Sequence, residues 1–127
     1  MRRIYTYEND GECSVNLFFE NTNGKIINKL KYQLAYVRDE KNVFSQPHVK
    51  HFSLEKYRKL YELRIKAAGT LVRVIFYEHN TDIILLHAFY KRDRKDTEKA
   101  LETALKILNC VMTQDGEIKE KYKRELV

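Results

Sequence analysis

Several patterns that mark common redox and catalytic proteins are missing from this chain. Its 127 residues include two cysteines, Cys13 and Cys110, and no Cys-x-x-Cys motif. Both cysteines fall on helical patterns, which predicts small core residues in a reduced, cytoplasmic protein. No glycine-rich phosphate loop and no nucleophile elbow occurs, which argues against P-loop nucleotide binding and against a serine hydrolase.

Metal-binding, secretory and membrane-spanning patterns are also missing. His48 and His51 have the spacing of zinc ligands on a turn, but no cysteine or third histidine completes the set. The acidic residues of the segment 48–95 occur singly, which disfavours a two-metal nuclease. We therefore predict no metal and no cofactor. The basic start Met1–Asp10 lacks the apolar core of a signal peptide, and no apolar run is long enough to span a membrane.

What the chain does contain is an excess of positive charge confined to one segment. The formal net charge is +6. Residues 48–95 hold 11 Lys/Arg and 5 Asp/Glu, which gives 11 − 5 = +6, and the remaining residues hold 13 of each sign. A solvated basic face is the usual explanation of surplus lysine. Because the excess lies among apolar strands, where cations are costly to bury, we interpret it as a binding site for a polyanion, namely RNA.

Apolar periodicity predicts a single α+β domain over residues 1–127, in the order β-α-α-β-β-β-α-α. We expect a small twisted antiparallel sheet with an N-terminal helical hairpin packed on one face, the other face free, and a helical extension over 115–127. The predicted strands are Arg3–Glu8, Leu60–Lys66, Leu71–Glu78 and Asp82–Tyr90, with a short one at Val49–Phe52. The first predicted helix runs from a cap at Asp10 to Asn21, and the second runs over Lys25–Lys41 after a cap at the turn Asn23-Gly24. A third helix begins at a cap at Asp96, and a weaker one covers Glu117–Leu126.

The basic segment carries an ordered series of short motifs. They read Glu62-Leu63-Arg64, Gly69, Arg73-Val74-Ile75 and Leu85-Leu86-His87-Ala88-Phe89-Tyr90-Lys91-Arg92, preceded by Pro47-His48-Val49-Lys50-His51-Phe52. This series resembles the RelE/HigB superfamily of bacterial toxins, particularly its HigB-like, phage-related branch, over roughly residues 3–112. Where that family continues into T-Q-K-T-P, this chain has Asp93–Thr97, which keeps the threonine and loses the proline.

The resemblance implies a function and a set of partners. The function would be that of the toxin of a type II toxin–antitoxin system, a metal-independent endoribonuclease that cleaves mRNA, commonly on the ribosome. The partners would be mRNA, the ribosome and a cognate antitoxin, usually a helix-turn-helix protein that blocks the toxin and represses their shared operon. An assembly of several toxin and antitoxin chains is also implied.

Two arginines suit the charge stabilisation that metal-free RNA cleavage requires. The reaction needs a base for the 2′-hydroxyl, cations for the phosphoryl oxygens and an acid for the leaving 5′-oxygen. Arg64 and Arg73 fit the second task, because a guanidinium stays protonated and presents a planar fork to phosphate. The alternative is that either arginine forms a structural salt bridge with Glu62 or Glu78.

The candidates for proton transfer depend on the register of the hairpin formed by the last two predicted strands. His87 titrates near neutral pH, but in an apolar run a histidine is most often a satisfied core group. If residue numbers across the hairpin sum to 160, His87 faces Arg73; if they sum to 161, Ala88 does, and Tyr90 shares the arginine's face. The alternative for Tyr90 is packing under the last helix.

Lysines supply the remaining site candidates. Lys91 is a candidate base, because like charges around an amine disfavour its protonated form, and its alternative is an ordinary surface lysine. Lys50 is a second candidate. The residues predicted to bind RNA are Lys50, Lys66, Arg92, Arg94 and Lys95.

Two further functions fit the same sequence. One is a non-catalytic module of this fold that binds RNA, the ribosome or a protein. The other is a structural or phage-encoded interaction protein whose last two helices present an apolar stripe to a partner.

Overall fold

The computed structural model describes residues 2–8, 13–39, 41, 42, 44, 48–113 and 123–125. Together these residues form a mixed α+β structure, which confirms the predicted class. Its strands are β1 (Ile4–Tyr7), β2 (Val49–His51), β3 (Leu60–Ala67), β4 (Thr70–His79), β5 (Asp82–Tyr90) and β6 (Lys123–Glu125), and its helices are α1 (Ser14–Glu20), α2 (Gly24–Arg38) and α3 (Arg94–Met112).

The strands form one sheet in the order β2-β3-β4-β5-β1-β6. The run β3-β4-β5 is antiparallel, as predicted, and Ala68 and Gly69 turn the first hairpin with φ of 52° and 74°, the left-handed pair that a two-residue turn requires. β1 differs from the prediction, because it runs parallel to β5, with Ile4 beside Ile83. Parallel neighbours need a long connection, and here that connection contains α1 and α2.

Apolar side chains cover both faces of the sheet. On one face α1 and α2 pack against the strands through residues such as Val15, Leu34 and Val74. The predicted helical hairpin therefore lies on one face, as expected. On the opposite face, which we call the α3 face, Leu101 and Leu108 are buried against strand residues.

The expectation of a free second face was therefore wrong. The strands carry apolar residues on both faces, so both faces have to be covered. The regular apolar stripe of α3 covers the second face and is buried against it. The burial of this stripe also contradicts the idea that α3 presents it to a partner. On the α3 face, strand side chains can reach solvent where α3 does not cover them.

The two longer helices begin at side-chain caps. Asn23 accepts a hydrogen bond from the backbone of Ile26 at 3.0 Å, which confirms the cap predicted at the Asn-Gly turn. For α3 the predicted cap, Asp96, was wrong by three residues. Asp93 is the cap and accepts from the Asp96 amide at 3.2 Å, while Asp96 accepts from the amides of Arg92 and Asp93. This reciprocal pair is a capping box, and its backbone donors lower the pKa of Asp96.

The predicted C-terminal helix is wrong where the structure describes it. Lys123–Glu125 form β6, which pairs antiparallel with β1 through Tyr5 and Thr6. Without β6 the edge of β1 would be left with unpaired backbone groups. The helical prediction rested on two apolar positions, Ile118 and Tyr122, which lie outside the described residues together with most of that segment.

Smaller corrections concern helix ends and cysteines. α2 ends at Arg38 rather than near Lys41, and Asp10 lies outside the described residues. Cys13 is half-buried at the start of α1, whereas Cys110 is exposed, so its assignment to the core was wrong. In the described part of the chain no helix is both long enough and apolar enough to cross a membrane.

Packing of α3 onto the sheet should be measurable as stability. Leu108 is 2% exposed, and Leu108→Ala should lower the free energy of unfolding by about 3 kcal/mol, because it removes buried methyl groups and leaves a cavity. Leu17, 62% exposed on α1, is the matched control, for which Leu17→Ala should change stability by under about 0.5 kcal/mol. Urea titration followed by circular dichroism measures both, and equal midpoints would contradict the packing described.

Candidate functional site

A β-bulge in β5 sets the register around the candidate site. Ile75 pairs with His87 and Phe76 with Leu85, so Leu86 is the extra residue on β5. Between this residue and the hairpin turn, the numbers of two paired residues sum to 161, and on the other side of the bulge they sum to 162. Neither predicted register therefore holds at Arg73, which faces Phe89. The extra residue explains the error, because a hairpin with a uniform register has one sum throughout.

Arg64 and Arg73 are direct cross-strand partners on β3 and β4. Both lie on the α3 face, beyond the region where α3 buries Leu60 and Ile75. Their side chains are 26% and 10% exposed. Like charges directly opposite each other in an antiparallel pair destabilise a sheet. The arrangement therefore needs a compensating anion.

That anion is Glu62, which precedes Arg64 by two residues on β3. Its side chain is 1% exposed, and its Oε1 lies 3.3 Å from Arg64 Nε and 3.4 Å from Arg73 Nε. The alternative of a salt bridge to Glu62 thus applies to both arginines. One carboxylate oxygen is shared between two guanidinium groups, so the cluster keeps one positive charge. Glu62 Oε2 has no hydrogen-bond partner among the described residues.

The surroundings of Arg73 oppose its charge more than those of Arg64. Burial lowers the pKa of Arg73, Glu62 raises it, and the neighbouring Arg64 lowers it again. One of its terminal nitrogens also donates to the carbonyl of Val72 at 3.3 Å. Because burial is the largest of these effects, Arg73 would gain more than an exposed arginine from a second anion.

His87 sits beside this cluster, at the bulge. Its ring stacks on Phe89 at 6.2 Å, and Phe89 faces Arg73 across the strands. The Nδ1 atom is hydrogen-bonded to Ser14 Oγ at 2.7 Å, and Nε2 has no partner among the described residues. Burial lowers the pKa of His87, which favours a neutral imidazole near pH 7.

Tyr90 lies on the opposite face of the sheet. Its strand partner is Val72, a core residue of the face covered by α1 and α2. The hydroxyl is hydrogen-bonded to Thr22 Oγ1 at 2.7 Å, and the ring contacts Phe18 with centroids 4.7 Å apart. The alternative placement under the last helix was therefore wrong, because Tyr90 packs against α1. The structure brings His87 and not Tyr90 onto the side that Arg73 occupies.

The lysines occupy two places around the arginines. Lys50 faces Glu62 from β2, with its ammonium 5.4 Å from the Phe52 ring centroid. Lys91 ends the pairing of β5, its amide donating to the Leu71 carbonyl at 2.9 Å, and Lys66 faces Leu71 from β3. An open cavity of about 410 Å³ lies at this end of the sheet, lined by Gly69, Thr70, Leu71, Tyr90, Lys91 and Arg92.

The remaining predicted RNA-binding cations, Arg94 and Lys95, are exposed on the first turn of α3. Asp93, which precedes them, is occupied as the helix cap. Its carboxylate therefore serves the start of α3. The helix dipole disfavours cations in the first turn, so Arg94 and Lys95 do not stabilise α3.

No group of three or more metal-ligating side chains occurs among the described residues. The two histidines with zinc-like spacing have other partners. His48 is hydrogen-bonded to Gln33 at 3.1 Å, and His51 donates to the Arg58 carbonyl at 2.5 Å.

Two residues at the site were not identified from the sequence. Phe89 separates His87 from Lys91 and faces Arg73, but placing it there requires knowledge of the bulge. Ser14 holds His87 across 73 residues of sequence, a contact without any local signal. The Phe of the motif Leu85–Arg92 was visible, and alternation alone would have placed it on the face of His87.

Comparison with known proteins now bears on this arrangement. A family model described as phage-derived protein Gp49-like (DUF891) matches residues 18–109, well over half of the chain. The chain belongs to the Gp49-like family. This family is related to RelE/HigB-like toxins of toxin–antitoxin systems. No curated protein matches the chain. The Gp49-like match includes Glu62 and all the cations of the site.

The shared carboxylate in this Gp49-like chain predicts a large stability effect. Glu62→Gln should lower the free energy of unfolding by about 3 kcal/mol, because it leaves two close guanidinium groups without their buried counter-charge. Glu55→Gln is the matched control, since Glu55 forms an exposed ion pair with Arg58 and should cost under about 1 kcal/mol. Equal urea midpoints for the two variants would show that Glu62 does not hold the cluster.

His87 predicts a pH dependence of stability. Because its pKa is lowered in the folded protein, the unfolded chain binds a proton first as the pH falls. The stability that the neutral His87 side chain contributes is complete above about pH 6.5, the ordinary pKa of histidine. It is lost as the pH falls below 6.5 toward the lowered pKa of the folded state. The pKa values of the Asp96 and Glu102 carboxyl groups are also lowered, but these groups change stability only below their ordinary pKa values of 3.8 and 4.5.

Urea midpoints measured between about pH 7 and pH 5.5 isolate this effect from the carboxylates. The parent protein should lose stability over that range, and His87→Asn, which keeps a polar group for Ser14, should lose less. The other histidines are common to both proteins. If the urea midpoints of the two proteins fell in parallel over this pH range, the assignment of the pH dependence to His87 would be contradicted.

Proposed function

We propose that this chain is the HigB-like toxin of a type II toxin–antitoxin system and a metal-independent endoribonuclease that cleaves mRNA. The 2′-oxygen attacks the adjacent phosphorus, the bond to the 5′-oxygen breaks, and a 2′,3′-cyclic phosphate and a 5′-hydroxyl result. The observation that carries this proposal is the cross-strand pair Arg64–Arg73, which keeps one positive charge in excess after pairing with Glu62.

The charge of the cluster fits a phosphodiester. Two guanidinium groups against one carboxylate leave +1, and Lys50 across from Glu62 adds a further cation at the same end of the face. A phosphate monoanion at Arg64, the more exposed arginine, would complete the compensation. As negative charge grows on the phosphoryl oxygens during attack, these cations would stabilise the transition state more than the ground state.

His87 is the side chain best suited to accept the proton of the 2′-hydroxyl. Its lowered pKa favours the neutral ring that a base must be, and the bond to Ser14 holds the ring in one orientation. Lys91 and Lys50 are further candidates for the second proton transfer, which protonates the leaving 5′-oxygen. Tyr90 has the least support, because its hydroxyl would have to leave Thr22 and the opposite face.

The other cations would hold the RNA strand on either side of the cut. Lys66, Lys91 and Arg92 surround the open cavity at the turn end of the sheet. Arg94 and Lys95 oppose the dipole of α3, and a local electrostatic cost of this kind is expected at a functional site. Each bound phosphate contributes to affinity in a salt-dependent way.

Membership of the family supports an antitoxin partner, and we propose mRNA and the ribosome as further partners. An antitoxin, expected to be a helix-turn-helix protein, would occlude the basic end of the α3 face and could join several toxin chains in one assembly. The ribosome would present the mRNA, and ribosomal RNA would also be attracted to the surplus of positive charge.

A non-catalytic module that binds RNA, the ribosome or a protein is the second candidate function. It is favoured by the ion pairs of Glu62, since both arginines already have a structural role. Such a protein would bind RNA in a salt-sensitive manner without cutting it.

Substitution of Arg73 separates the two functions. The parent protein should cleave mRNA in a translation extract to products ending in 2′,3′-cyclic phosphate. Arg73→Ala should reduce the cleavage rate by about 100-fold or more, the usual loss when one donor to a developing oxyanion is removed. Arg58→Ala, which removes an exposed surface guanidinium, is the matched control and should retain activity.

A second variant guards against misfolding. Arg73→Lys keeps a cation beside Glu62 and loses only the planar fork, so it should fold, measured by circular dichroism, and cleave about tenfold more slowly. Arg73→Ala as active as the parent would end the endonuclease assignment. Tight, salt-sensitive RNA binding without scission by the parent would favour the non-catalytic module.

A further inference from the structure

The outer side of α2 carries a second concentration of positive charge. Lys25, Lys29 and Lys31 are exposed there, together with Tyr32 and Tyr36. We call these five residues the α2 stripe. Lys25, Lys29, Tyr32 and Tyr36 follow each other at spacings of four, three and four, which places them along one line of the helix.

The charge of this stripe is uncompensated. The sequence of α2 contains four cations and no acidic residue, and in the described part of the chain none of the three lysines forms an ion pair. The balance of 13 positive and 13 negative residues outside 48–95 conceals this local excess. A solvated helix face usually mixes both signs, so this one is matched to an anionic surface.

The tyrosines add a feature that solvation does not explain. Tyr32 is 76% and Tyr36 is 39% exposed, and the Tyr36 ring lies 6.2 Å from that of His48. Large exposed aromatic rings between lysines are the elements of surfaces on which bases stack while cations hold phosphates.

The α2 stripe and the arginine cluster lie on opposite sides of the sheet. α2 buries Ile26, Leu30 and Leu34 on the face opposite the α3 face, and its exposed side points away from that core. The two sides approach each other at His48, whose ring lies 6.2 Å from that of Tyr36 and whose carbonyl accepts from the Arg64 amide at 2.8 Å. An RNA in contact with both places has to pass around this edge of the sheet.

From these observations we infer that the α2 stripe is a second RNA-binding surface, which takes phosphates on Lys25 and Lys29 and an unstacked base on Tyr32. The choice of RNA as the partner rests on the proposed function. The stripe would anchor a folded RNA while a separate strand enters the arginine cluster.

Binding to a fluorescein-labelled RNA hairpin with single-stranded flanks tests this surface. All variants carry Arg73→Ala, so that no RNA is cut during the measurement. Lys25→Gln with Lys29→Gln should reduce the slope of log affinity against log salt by about 1.4, since each single-strand phosphate contact contributes roughly 0.7. Tyr32→Ala should weaken binding about tenfold, as expected for the loss of one base stack.

A charge-matched control is available elsewhere on the surface. Lys59→Gln with Lys106→Gln removes two exposed lysines away from α2 and should leave the slope within about 0.3 of the parent value. An equal loss in this control would show that only the net charge matters, and would overturn the inference. A changed sedimentation coefficient in the α2 variants would instead make the stripe a contact between copies, which also overturns it.

The outcomes separate this inference from the proposed function. If the protein without Arg73→Ala cuts no RNA but binds the hairpin through the α2 stripe, the nuclease proposal fails and the inference stands. If it cuts RNA and the α2 variants bind with unchanged affinity and slope, the inference fails and the nuclease proposal stands.

Discussion

The compensation of two arginines by one buried carboxylate is the constraint on which the working end of this sheet depends. Arg64 and Arg73 are forced together by strand pairing, and Glu62 is withdrawn from water between them. Removing Glu62 leaves two positive charges that the interior tolerates poorly, whereas removing one arginine leaves a neutral pair. The cluster is thus a part of the fold that keeps one positive charge.

The cover of the sheet decides which strand residues can meet solvent on the α3 face. α1 and α2 cover one face, and α3 covers the part of the other face that holds Leu60 and Ile75. The remainder of that face carries Arg64 and Arg73 beside Phe89. The apolar core and the arginines therefore share a single surface, divided along the strands at about the position of Glu62.

Much of this organisation could be predicted from the sequence. The antiparallel run of three strands, the hairpin of α1 and α2, the cap at Asn23 and the proximity of the arginines follow from local patterns and turn residues. Three features did not follow, because they depend on distant partners: β1 parallel to β5, β6 at the edge of β1, and Ser14 bonded to His87. The bulge at Leu86 is the fourth, since one inserted residue leaves no mark in an apolar run.

That bulge gives two consecutive side chains a place on the same face. Leu86 is buried in the core beneath α3, and His87, the next residue, pairs with Ile75 on the same face. In a regular strand neighbouring residues alternate, so the leucine and the imidazole would compete for one position. Loss of either codon would restore an unbroken ladder and would leave room on this face for only one of the two side chains.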